Sequence, residues 1–174
     1  MLLFSDTDNG MITDSGDSPT IFVDADACPT VVRDMVILAS KKRSLKAVFV
    51  ANKVLPLPEL PLLSFERVPA TPDAADQLIA ERAQAGDLVI TQDIPLAYIL
   101  VKKNVAVVSP RGEVFTEENI GDRLSMRDLL QDLRDTGEAT GGPSQFGDRE
   151  KRAFAAAFDR ELTKILNKRS RKSC

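Results

Sequence analysis

Four stretches of the chain are apolar and rich in β-branched residues without a break: 21–23, 47–51, 88–91 and 105–108. A strand with one wet face alternates apolar and polar positions, whereas a continuously apolar run fits a strand covered on both faces, as in a parallel sheet. Between these runs the apolar positions recur at helical spacing over 30–42, 73–85 and 95–103, and a shorter extended piece falls at 64–68. After Pro110 the pattern predicts a turn, a helix near 125–136, a loop over 137–147 and a last helix from 148 to about 166. Strands and helices that take turns imply β-α-β crossovers, so the fold class is α/β: a three-layer α/β/α sandwich around a mainly parallel sheet. The first 19 residues are polar and rich in Asp, Ser, Thr and Gly, which reads as a disordered N-terminal extension. One domain then occupies 20–166, a basic tail follows over 167–174, and there is no internal repeat.

Composition narrows the chemistry. The 174 residues are 43% hydrophobic, enough for a single globular core, and contain no histidine. A Ser-His-Asp triad, a Cys-His pair and a histidine-ligated zinc site are therefore excluded, which leaves carboxylate, lysine and arginine chemistry. Two cysteines, Cys28 and Cys174, support neither a disulfide framework nor a four-cysteine metal site and suit a reducing cytoplasm. Cys28 reads as a small packed residue, since no histidine is present to activate it. The start of the chain lacks the basic and apolar segments of a signal peptide, and no stretch is apolar enough to span a membrane. A net charge of −3 exerts no global pull on nucleic acid, although basic clusters occur at Lys41-Lys42-Arg43 and Lys168-Arg169-Ser170-Arg171-Lys172.

Three acidic groups punctuate the strand ends. Asp24 and Asp26 follow the run Ile21-Phe22-Val23, and side chains two apart on an extended backbone share a face, so both carboxylates can converge beyond the strand's carboxyl end. Open α/β sheets bind ligands at that edge. Pro29 suits the first turn of the helix that follows. In Thr71-Pro72-Asp73-Ala74-Ala75-Asp76, Thr71 can cap a helix and Asp73 and Asp76 share one face of it. In Gly86-Asp87-Leu88-Val89-Ile90-Thr91-Gln92-Asp93, Asp93 leaves the sheet at the same edge as Asp24, with the Thr91 hydroxyl beside it, while Asp87 at the other end of the strand reads as structural. For each of Asp26, Asp73, Asp76 and Asp93 the alternative is plain helix capping or macrodipole compensation.

Taken with Ser109-Pro110-Arg111-Gly112, Met126-Arg127-Asp128 and Thr140-Gly141-Gly142-Pro143, these motifs resemble the YaiI/YqxD family of uncharacterised bacterial proteins over nearly all of 20–163. The resemblance implies a PIN-like fold and, by analogy, the acidic nuclease site of PIN-like domains. Oxygen-only ligands select hard cations, so Mg2+ or Mn2+ is the expected cofactor, with Asp24, Asp26, Asp73, Asp76 and Asp93 as candidate ligands and Asp24, Asp26 and Asp93 as catalytic candidates. Asn52, Thr91, Arg111, Gly141 and Gly142 are candidate substrate contacts for phosphate. The expectation is a metal-dependent nuclease that hydrolyses phosphodiester bonds of RNA or DNA. Two other readings stay open: a haloacid-dehalogenase-like phosphatase with Asp24 as nucleophile and Asp26 as general acid, and a non-catalytic module that binds metal or nucleic acid.

Overall fold

Each apolar run becomes a strand with both faces covered. The structure is a computed structural model that describes residues 18–138, 142 and 144–172. The N-terminal extension up to residue 17, Gly141 and Cys174 lie outside the described residues. Among these residues six strands, β1 (Thr20–Asp24), β2 (Lys46–Ala51), β3 (Leu63–Arg67), β4 (Leu88–Ile90), β5 (Ala106–Val108) and β6 (Val114–Phe115), form one sheet in the order β3-β2-β1-β4-β5-β6. All neighbours are parallel except β5 and β6, which pair antiparallel. Among the described residues five α-helices complete it: α1 (Thr30–Arg43), α2 (Ala74–Arg82), α3 (Ile94–Lys102), α4 (Ile120–Asp135) and α5 (Asp148–Lys172).

The side-chain alternation of the strands divides the core in two. Ile21 and Val23 of β1 and Ala47, Phe49 and Ala51 of β2 face α1 and α5, packing with Val32, Val36, Phe154, Phe158 and Leu162. Phe22 of β1 and Val48 and Val50 of β2 face α2, α3 and α4, packing with Ile79, Leu96, Leu100 and Ile120. The result is the three-layer α/β/α architecture. It also explains the uninterrupted apolar runs, because neither face of β1, β2 or β4 meets water. No helix among the described residues is long and apolar enough to cross a membrane.

Several boundaries differ from those expected. Strand β6 is two residues long, too short to leave a pattern, and was not foreseen. Helix α4 begins at Ile120 rather than near 125, because Thr116 and Asn119 open it reciprocally. The Thr116 N–H donates to Asn119 Oδ1 at 2.8 Å and the Asn119 N–H donates to Thr116 Oγ1 at 3.3 Å. Helix α2 stops at Arg82 rather than 85, since the Gln84 N–H turns to Asp87 Oδ2 at 2.9 Å. Helix α5 runs on to Lys172 rather than ending near 166, with Ile165 and Leu166 packed against the core and no Gly or Pro to stop it.

Candidate functional site

Strand β1 lies where the order reverses: the chain builds outward through β2 and β3, then returns to β4 on the other side of β1. The connections that leave β1 and β4 therefore diverge, β1 leading to α1 on one face and β4 to α3 on the other. A crevice at the carboxyl ends of those two strands follows from the topology alone.

Asp24, the last residue of β1, continues the alternation of Phe22 and so belongs to the α2 and α3 face. The Thr91 hydroxyl, one residue past β4, donates to Asp24 Oδ2 at 3.0 Å and accepts the Asp93 N–H at 3.0 Å. Asp93 caps α3, its Oδ1 accepting the Leu96 N–H at 2.9 Å, with Pro95 in the first turn. After Asp24 a single 3-10 turn, Ala25–Ala27, brings Asp26 round, and Asp26 Oδ2 accepts the Asn52 N–H at 2.8 Å from just past β2. Asp76 comes from the first turn of α2. Asp24, Asp26, Asp76 and Asp93 line one cleft of about 230 Å³, walled by Asn52, Val68, Pro69, Thr71, Pro72 and Ala75.

Four carboxylates around one cleft repel, and the electrostatics register it. Burial pushes the Asp24 carboxyl up, the Thr91 hydrogen bond offsets part of this, and the charges of Asp93 and Asp26 push it up further. Asp76 is pushed up to about 7, first by burial, then by the charges of Asp93 and Asp24, by a hydrogen bond shared with Asp93, and by Asp73. Near neutral pH the Asp76 carboxyl thus still retains a proton in a large fraction of molecules. Burial raises the Cys28 thiol to about 12, so Cys28 is the inert packed residue its sequence context suggested.

Four of the five acidic candidates come together, and Asp73 does not. It occupies the N-cap position of α2, exposed and without a side-chain capping bond, and reaches the cleft only through its charge on Asp76. Thr71 does not cap α2 with its side chain but stands in the cleft wall. Neither Asp24 nor Asp26 makes a helix-capping bond, whereas Asp93 does so as well as lining the cleft. Thr91 is buried beneath the carboxylates and positions them, with its hydroxyl committed on both sides. Arg111 points elsewhere: its guanidinium donates to the main-chain oxygen of Ser144, stands 3.9 Å from Glu150 and lies over the Phe146 ring, tying the β5–β6 turn to the start of α5. Gly142 is exposed, with no described residue within 4 Å of where a Cβ would stand, and Gly141 is outside the described residues. Asp87 is structural as expected, accepting the N–H groups of Thr20 and Gln84, each at 2.9 Å. The cleft wall from Val68 to Pro72 had one signal in the sequence, a Pro-rich segment between a strand and an acidic helix start.

The donor set suits a hard cation in chemistry: oxygen ligands only, crowded enough to retain a proton. Among the described residues, however, no three carboxylate or thiolate groups already stand around a common point at ligating geometry. One oxygen each of Asp24, Asp26 and Asp93 is instead committed to a protein donor.

Comparison with known proteins gives a coherent result. The family model described as "Uncharacterized BCR, YaiI/YqxD family" matches residues 22–164. The UPF0178 protein of Myxococcus xanthus is 52% identical over 146 residues, covering 84% of this chain and 95% of its own. UPF0178 proteins of Syntrophobacter fumaroxidans (49% over 144 residues, 83% and 94%) and Psychromonas ingrahamii (50% over 145 residues, 83% and 96%) are similar to nearly the same extent. No solved structure gives a significant match.

Proposed function

The chain belongs to the YaiI/YqxD family, and from its acidic cleft we propose that it is a metal-dependent phosphodiesterase that hydrolyses RNA or DNA. The observation that carries the reading is the meeting of Asp24, Asp26, Asp76 and Asp93, from three separate stretches of the chain, in one cleft at the point where the strand order reverses. Structural carboxylates in this chain look different: Asp87 lies at the opposite sheet edge with backbone N–H groups on both oxygens. The PIN-like acidic site implied by the resemblance of the motifs is the same chemistry.

The residues to hold Mg2+ or Mn2+ are Asp24, Asp26, Asp76 and Asp93. When bound, the ion supplies positive charge against the charge that builds on the phosphate oxygens. Thr91 and the Asn52 N–H hold Asp24 and Asp26 by one oxygen each, which orients the pair without neutralising it. Asp76, whose proton affinity lies near neutrality in the metal-free cleft, gives up that proton when it ligates the ion, so binding is coupled to proton release.

The test is cleavage of an end-labelled single-stranded oligonucleotide with Mn2+ present. Wild-type protein cleaves, and Asp26→Asn does not while its circular dichroism stays native. Equal cleavage by the two proteins, or none by wild type on RNA and DNA alike, defeats the proposal.

A further inference from the structure

Helix α5 carries a second charged surface that the acidic cleft does not use. From Leu162 to Lys172 it has five cations and no acid, and Lys164, Asn167, Lys168, Arg171 and Lys172 line an open groove of about 540 Å³. Lys164 pairs with Glu161 at 3.2 Å, whereas Lys168, Arg171 and Lys172 have no ion pair among the described residues. The last turn of α1 adds Lys41 and Lys42 next to Arg43, which binds Asp159 at 2.9 Å and so joins the two helices. Macrodipole compensation accounts for a cation or two in a final turn, but Lys164 and Lys168 lie one to two turns earlier.

This surface is at the far edge of the sheet. Helix α1 starts beside the cleft and runs 14 residues away from it, a rise of about 21 Å. Helix α5 starts against Gly112, past the end of β5, and its Arg169 reaches Gly86, before the start of β4. The groove is lined without an aromatic or aliphatic side chain, so it lacks what a helix needs to lie in a lipid surface. Spaced, unpaired cations without an apolar wedge fit a row of phosphates.

We propose that the C-terminal half of α5, with the end of α1, binds the phosphate backbone of a polynucleotide, which makes long nucleic acid rather than a short oligonucleotide the substrate. The link to substrate length rests on the phosphodiesterase reading of the cleft. At about 3.4 Å per nucleotide, a strand needs more than about six nucleotides to touch both surfaces.

Fluorescence anisotropy in chelator, where no cleavage occurs, tests the surface apart from the cleft. Wild-type protein binds a labelled single strand of about 20 nucleotides at least tenfold tighter than one of about four, and tighter at 50 than at 200 mM salt. Lys168→Glu with Arg171→Glu and Lys172→Glu lowers affinity for the long strand about tenfold or more and the salt slope by about two. These side chains are exposed, and an unchanged melting temperature checks the fold. Equal binding by the variant, or binding to phosphatidylserine vesicles and not to the oligonucleotide, overturns the proposal. Binding through these cations without cleavage by the wild type retires the cleft reading and keeps this one, and cleavage with unaltered binding by the variant does the reverse.

Discussion

Thr91 holds the two central carboxylates in place, donating to one and accepting from the backbone of the other, in a buried position. Thr91→Val keeps the shape and removes the hydroxyl, leaving an Asp24 oxygen and the Asp93 N–H without partners. The expected loss is about 1–3 kcal/mol in urea melts. Asp24→Asn and Asp93→Asn act with the opposite sign, because each removes a charge from a crowded cleft while an amide oxygen can still accept the same bond. In chelator both variants match or exceed wild-type stability and lose the response to metal. Asp87→Asn replaces an acceptor of two backbone N–H groups with one that has a single oxygen, and costs about 1–3 kcal/mol with the metal response intact. Asp76 sets the pH dependence. Folding raises its pKa from 3.8 to about 7, so its contribution is complete below about pH 4 and is lost as pH rises through 7. Metal-free stability therefore falls between those limits, and Asp76→Asn flattens the fall; an identical fall in the variant would refute the assignment. These carboxylates were legible because each ends a strand or starts a helix beside one. Asp73 was misread because α2 starts one residue later, and Arg111 because its partners come from a segment more than 30 positions away.

Helices and strands were legible where their apolar pattern is long and illegible where a side chain decides the boundary. The four core strands and α1 fall within a residue or two of the apolar runs. The early start of α4 depends on the exchange between Thr116 and Asn119, a short capping signal that its polar surroundings conceal. The position of α5 depends on Gly112, whose φ of +91° favours glycine and whose missing Cβ would stand 2.5 Å from the carbonyl carbon of Ala153. Gly112→Ala must strain that backbone and push α5 outward. The expected cost is about 1–3 kcal/mol in a urea melt, and a midpoint equal to wild type would show that the approach is slack.

At the scale of the whole molecule, strand order makes the cleft and charge separates the two edges of the sheet. Crossing to the other side of β1 after β3 opens the crevice, and no sequence pattern encodes that crossing directly, since the same alternation of strands and helices permits other orders. What the sequence did carry was the placement of acid at the carboxyl ends of strands, which any parallel order gathers at one edge. The central claim is that the gathered carboxylates form a site for a hard cation, and a ligand of the folded state alone raises stability by RT ln(1 + [L]/Kd). Calorimetric titration of Mn2+ into the chelator-stripped protein at pH 6 and pH 8 tests it most directly. Saturable binding that tightens at the higher pH, as the proton held by Asp76 is released, and that disappears in Asp26→Asn, is the predicted result. No saturable heat with millimolar manganese at either pH, or binding unaltered in Asp26→Asn, would contradict it.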